Sequence, residues 1–314
     1  MTQPVLIGIA AGLACALLFL SPFGGPLLAV PLFTLTGLPI VIVGLGWGAI
    51  AALAAGASGS TMLFGLVNWG AAAIFALMFA APLVWLTWLA TLWREVGSGD
   101  TGEREWYPLG QLLARAAVAA AGGLVAIGVI VGFDPPSLVE EMTAAMVDWL
   151  SLAGSGPPPT AAEVEPFVRF NVAVMPSVLG VIALLILVLN LWLGAIVARM
   201  SGRLTRSRDT LWSVELPVGV AIGFAVALLL SLLPGPFGYA AQAFAGALGG
   251  AAALVGLAVL HALTIGMTGR AALLTLTYIV VVVSGFAAIL LALVGVGETF
   301  LNLRARQTGA GPRS

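Results

Sequence analysis

The chain has 314 residues, of which 61% are hydrophobic and only 8% charged, with a formal net charge of −1. A water-soluble domain carries about a quarter charged residues, so a mean hydropathy of +1.13 excludes a solvated globular surface, and the near-neutral charge excludes the basic footprint of a nucleic-acid binder. No hydrophilic stretch reaches the ~50 residues that a separate soluble domain needs, so residues 1–314 read as a single integral membrane domain whose first partner is the lipid bilayer.

Each bilayer crossing needs about 20 apolar residues. Such segments fall at 4–20, 26–44, 48–66, 70–93, 109–133, 171–199, 211–232, 240–264 and 270–303. The first lacks the basic flank of a secretory signal and reads as a retained helix. Its only notable side chain is Cys15, the single cysteine, which excludes an intramolecular disulfide and a thiolate metal cluster. Ser21–Pro26, Gly46-Trp47-Gly48 and Asn68-Trp69-Gly70 are turn signals between the early helices. Small residues four apart, at Gly8, Gly12 and Ala16 and again at Gly246 and Gly250, predict close helix–helix approach.

All 12 basic residues are arginines, and they are unevenly spread. Arg94 and Arg104 lie in loop 94–106; Arg199, Arg203, Arg206 and Arg208 in loop 199–209; Arg304, Arg306 and Arg313 in the tail at about 304–314. Region 134–169 instead holds Asp134, Glu140, Glu141, Asp148, Glu163 and Glu165 against Arg169. The excess of positive charge predicts that the arginine loops are cytoplasmic, the acidic loop external and the N-terminus inside. Segment 270–303 then poses a parity problem, since a single crossing would put the arginine tail outside. Ser284-Gly285 near its middle predicts a hairpin of two short helices that returns the tail; one long tilted helix is the alternative.

In the acidic loop, Ser137-Leu138-Val139-Glu140 fits a capping box, followed by Leu138, Val139, Met142, Met146, Trp149 and Leu150 at helical spacing. This predicts a short amphipathic helix on the membrane surface or over the bundle mouth. Gly156–Pro159 is a stiff linker, Thr160–Glu163 a second capping box, and Pro176 predicts a kink in the helix that follows. The expected fold is therefore all-α: a polytopic transmembrane bundle of about 8–10 helices with an amphipathic helix in the external loop.

Chemistry-bearing motifs are scarce. One histidine cannot make a two-histidine metal motif, no phosphate-binding loop is present, and no carboxylate pair lies at membrane depth, so neither a cofactor nor a catalytic residue is expected. Polar groups inside a membrane are costly and are the default functional candidates. They are Arg115, Asn190, Glu215, His261, Glu298 and Asn302. Arg115 can snorkel to the cytoplasmic surface; Asn190 can bond a neighbouring helix or face a cavity; Glu215 can pair with the Arg203–Arg208 cluster; His261 reads as an interhelical hydrogen-bonder or a ligand site. Glu298 and Asn302 can cap the last helix together with Arg304 or form a site. Trp69, Trp85, Trp88, Trp93, Trp106 and Trp212 fit an aromatic belt.

Three features together resemble the YybS-like family of bacterial multipass membrane proteins. They are the short N-terminal helices with Pro31, Leu38-Pro39 and Gly46-Trp47-Gly48, the arginine loop leading to Trp212 and Leu216-Pro217, and the tail Gly295–Arg304, where Glu298 stands in place of the more usual Asp. That family is similar to the substrate-binding S components of energy-coupling-factor transporters. The resemblance implies a bundle in the bacterial inner membrane that captures a solute and docks on a transporter module. On this reading a cavity lined by some of Arg115, Asn190, Glu215 and His261 is expected. The other reading is a non-enzymatic scaffold in an envelope-assembly or cell-division complex, which the acidic external helix would serve.

Overall fold

A computed structural model describes residues 2–24, 26–96, 103–153, 159–207 and 214–304. Gly25, the linker residues Gly156–Pro158, Arg208, Trp212, Arg306 and Arg313 lie outside the described residues. The fold is the expected all-α bundle. Among the described residues, seven helical segments are long and apolar enough to cross a membrane, and two further apolar helices, Arg270–Ser284 and Phe286–Leu301, form a sharply bent pair.

The first half is α1 (Thr2–Phe19), a span broken into α2 (Pro26–Thr34) and α3 (Leu38–Trp47), α4 (Ala49–Leu66), and α5 (Trp69–Phe75) running through a π-helical turn into α6 (Ala81–Ala90). Its core is a cluster of phenylalanine rings, with Phe19, Phe33, Phe75 and Phe79 meeting at centroid distances of 5.5–6.3 Å. Glycines set the spacing. A methyl group on Gly12 would come within 2.3 Å of the Ala55 carbonyl oxygen, so α1 and α4 touch backbone to backbone. Gly8 lies against Ala51 and Ala54 while Gly12 lies against Ala55 and Gly59, so the two helices run parallel. The predicted small-residue spacing does seat a helix.

The break between α2 and α3 follows from Pro39. Proline has no N–H, so the Leu35 carbonyl takes the Leu38 N–H instead (3.0 Å), and the Thr34 carbonyl loses its helical donor. Asn190, fully buried on a later helix, supplies one at 2.7 Å.

After α6 the chain forms a two-stranded antiparallel ribbon, β1 (Trp93–Val96) and β2 (Glu103–Trp106). In the sequence its charged residues read only as an arginine-bearing loop. The register pairs Trp93 with Trp106, Arg94 with Glu105 and Glu95 with Arg104, so opposite charges face each other across the strands. Arg94 Nε donates to Glu105 at 2.6 Å, and that carboxylate raises the guanidinium pKa further. Arg104 lies over the Trp93 ring, 4.4 Å from its centroid.

The second half comprises α7 (Leu109–Val131), α8 (Pro135–Ala153), α9 (Ala161–Met200), α10 (Val218–Leu230), α11 (Pro236–Leu263), α12 (Arg270–Ser284) and α13 (Phe286–Leu301). The amphipathic helix α8 exists, but it starts earlier than the capping box suggested. It begins at Pro135, which leaves Ser137 inside the first turn with its hydroxyl bonded to Asp134. Its inward stripe is Val139, Thr143, Met146, Val147 and Leu150, packed on Val164, Val168 and Val172 of α9. Met142 and Trp149, expected in the apolar stripe, are exposed. The second capping box forms as predicted: Glu163 accepts the Thr160 N–H at 2.8 Å and its hydroxyl at 3.0 Å. α9 is 40 residues long, about 60 Å at 1.5 Å per residue, and passes through Pro166 and Pro176 without interruption of the helix.

Segment 270–303 is broken where Ser284-Gly285 predicted it. Gly285 takes φ +61°, and the axes of α12 and α13 turn by 119°. α13 packs on α11 through Gly256 and Gly295, each so close to the opposing backbone that a methyl group would overlap a carbonyl oxygen.

The contacts divide the bundle into two ends. α9 runs parallel to α3, since Asn190 meets Thr34 and Gly194 meets Val41. It also runs parallel to α11, since Gly180 meets Ala243 and Gly250 meets Leu184. The α3, α6, α9 and α11 C-termini and the α1, α4, α7 and α10 N-termini therefore share one end. Arg203 stacks on Trp47 there, 4.1 Å from the ring centroid, and Arg206 donates to the Ala90 carbonyl at 3.3 Å. Arg304 is at the same end, bonded to the Val214 carbonyl just before α10. We call this the arginine end; the acidic α8–α9 hairpin is at the other.

Candidate functional site

The six polar candidates occupy five separate places. Asn190 is a helix joint: its Nδ2 donates to the Thr34 and Ile186 carbonyls at 2.7 and 2.8 Å, tying α9 to the broken second span. Its Oδ1 is buried without a partner.

His261 lies in the last turn of α11. Nδ1 sits 2.9 Å from the Leu257 carbonyl, which fixes it as the protonated nitrogen, and Nε2 faces the Tyr278 hydroxyl of α12 at 3.4 Å. The Arg270 guanidinium donates to the His261 carbonyl at 3.4 Å. This group fastens the bent pair to α11.

Glu298 and Asn302 end α13. Asn302 takes the left-handed conformation (φ +47°) and its N–H closes on the Glu298 carbonyl at 3.0 Å, a C-cap. The Glu298 side chain is 5% exposed and forms a 2.8 Å ion pair with Arg304 Nε; Arg304 Nη2 reaches the Val214 carbonyl at 3.1 Å. Glu298 Oε2 is buried and unpaired. Glu215 is near in sequence to Val214 but is exposed and forms no ion pair with a described arginine; of the Arg203–Arg208 cluster expected to hold it, Arg203 and Arg206 do not, and Arg208 lies outside the described residues. Its backbone carbonyl instead lies against Gly110, in the first turn of α7.

Arg115 is the candidate that meets a cavity. A groove of about 760 Å³ runs between α7, α10 and α11. α10 leans on α11 and makes few contacts with α7, which opens the space. It is lined along α10 by Gly219, Gly223 and Ala227, and at its far end by Leu230, Leu233 and Phe237. Small residues at such spacing ordinarily seat a helix; Gly219 faces open space. Gln111 and Arg115 supply polar groups at the arginine end, and Val118, Phe244 and Leu248 complete an otherwise apolar wall. Arg115 forms no hydrogen bond or ion pair with another described residue. Of the four residues expected to contribute to a cavity, Arg115 lines this groove, while Asn190 and His261 point into other packing interfaces and Glu215 to the surface.

The groove escaped the sequence because its makers are glycines and alanines, which carry no chemical signature. Gln111, one turn before Arg115, was the available signal. Among the described residues no group of three or more His, Cys, Asp or Glu side chains converges as a metal site would require. Trp69, Trp85, Trp88 and Trp93 are exposed on the outside of the bundle. Compared with family models, curated proteins and solved structures, the chain has no match in any of the three.

Proposed function

We propose that this chain is a non-enzymatic ligand-binding component of a bacterial inner membrane, with the groove between α7, α10 and α11 as its site and the arginine end facing the cytoplasm. The observation that carries the reading is the groove itself. Its volume of about 760 Å³ falls within the range of small-molecule sites, and such sites are mostly apolar with a few convergent polar groups. Arg115 and Gln111 are those groups here. The opening lies along the side of the bundle, so a ligand enters from the bilayer. This suits the capture role that the S-component resemblance implies, with a transporter module as the partner.

The test is purification in mild detergent followed by mass spectrometry of co-purifying molecules, comparing the native chain with Ala227→Trp. The indole fills the groove while α10 keeps its helix. A small molecule or lipid bound to the native chain and lost from the variant supports the reading; identical profiles overturn it.

The scaffold alternative draws on one feature. The α8–α9 hairpin exposes Met142, Trp149, Leu152, Phe167 and Phe170 at the end opposite the arginine end, and an assembly partner would cover them. Co-purification of envelope-assembly proteins, lost on Trp149→Asp, would favour it.

A further inference from the structure

Hydrocarbon tails can fill any apolar furrow on a membrane protein, so shape alone assigns no ligand. This groove differs in its charge. Its cation sits at one end only, six residues into α7 and about 9 Å from that helix's start at 1.5 Å per residue. From there the lining along α10 is apolar for most of a leaflet's depth, ending at Leu230, Leu233 and Phe237. Arg115 is exposed towards the groove and has no protein counterion among the described residues. A guanidinium left alone at that depth is costly. It is stabilised by an anion of matching geometry, and its planar fork fits the two free oxygens of a phosphodiester. The arginine-end leaflet presents phosphodiesters at the level a snorkelling arginine reaches.

We infer that the groove holds one anionic glycerophospholipid, its phosphate against Arg115 and Gln111 and an acyl chain laid along Gly219, Gly223 and Ala227 towards Phe237. This names the ligand class for the site proposed above and rests on that reading. Gly219 and Gly223 then have a packing role: they make room for a chain of methylenes where a larger side chain would occupy the path. The side opening lets the headgroup stay at the interface while the tail is held.

The experiment uses the full chain in nanodiscs of phosphatidylcholine with one tenth phosphatidylglycerol of matched acyl composition. Release into mild detergent and native mass spectrometry then count the retained lipids. The native chain is expected to retain phosphatidylglycerol above its bulk share. Arg115→Gln is expected to lower that retention about tenfold, the factor that one charge-assisted phosphate contact of ~1.4 kcal/mol represents. Arg115→Lys keeps the charge without the fork and falls between them. Arg169→Gln, at the other end and paired with Glu165, matches the native chain. Retention of phosphatidylglycerol by the native chain at no more than its bulk share, or no change on Arg115→Gln in protein of unaltered elution volume, overturns the inference. If Ala227→Trp displaces some other bound molecule while phosphatidylglycerol is indifferent to Arg115, the lipid assignment falls and the ligand-binding reading stands. If Ala227→Trp displaces nothing, both fall.

Discussion

Asn190 illustrates how a polar residue at membrane depth can be structural. Pro39 removes one donor from the second span, the neighbouring N–H shifts to Leu35, and the Thr34 carbonyl would be left bare without the Asn190 amide at 2.7 Å. An unpaired carbonyl has no water to turn to in a bilayer. Asn190→Ala is therefore expected to destabilise the fold by about 1–2 kcal/mol, read from the midpoint of detergent-driven unfolding followed by circular dichroism. A change within error would mean that the α2–α3 break is satisfied in another way. Glu298 sets a sharper contrast. With its ion pair 5% and 14% exposed, Glu298→Ala removes the buried carboxylate opposite Arg304 and should cost about 3 kcal/mol or more. Glu105→Ala, which breaks the exposed Arg94 pair, should leave the same midpoint unchanged. If the two variants behaved alike, the burial of the α13 terminus would be wrong.

At the scale of elements, the glycines decide which helices can meet. Gly256 and Gly295 let α11 and α13 touch along their backbones, and a methyl group at Gly256 would lie 1.8 Å from the Leu291 carbonyl oxygen. A backbone oxygen cannot swing aside as a side chain can, so Gly256→Val must lift α13 away. We expect a cost of about 1–3 kcal/mol from overpacking and faster amide exchange across 286–301, with α1 and α4 unaffected. Uniform acceleration through the whole bundle would show that α13 does not dock as a separate unit. The spans themselves were legible because run length and turn residues are read directly from a chain: the break at Gly285 and the Gly8–Gly12 seat both follow from residue type. The β1–β2 ribbon was not, since Arg94, Glu95, Arg104 and Glu105 read as loop charges until the register places opposite signs across from each other. α8 was legible as a helix, but its facing was not. Met142 and Trp149 fit an apolar stripe by spacing, while the valines of α9 select the Val139–Leu150 side. The groove was least legible, because it depends on where α10 stands relative to α7, a property of two helices that neither sequence segment carries.

For the whole molecule, the contacts link two ends that the charge pattern had left in conflict. α1 is parallel to α4, which starts where α3 ends, so Thr2 belongs to the arginine end; Arg304, bonded to Val214, belongs there too. The bent pair α12–α13 enters and leaves at that end. The chain thus returns to it at Arg304 without an extra crossing, and the described arginines Arg94, Arg104, Arg199, Arg203, Arg206 and Arg304 share that end. An excess of arginine marks the side retained in the cytoplasm, so orientation becomes measurable with single cysteines. In a Cys15→Ser background, which removes the one buried thiol, Ser151→Cys in α8 should react with a membrane-impermeant maleimide in intact cells. Thr2→Cys and Ser207→Cys should react only after the membrane is opened. All three positions are exposed, so silence cannot be blamed on burial. Labelling of Ser207→Cys in intact cells would invert the molecule and place the Arg115 end of the groove in the outer leaflet. Labelling of Thr2→Cys but not Ser207→Cys would break the parallel pairing of α1 and α4, the closest helix contact of the first half.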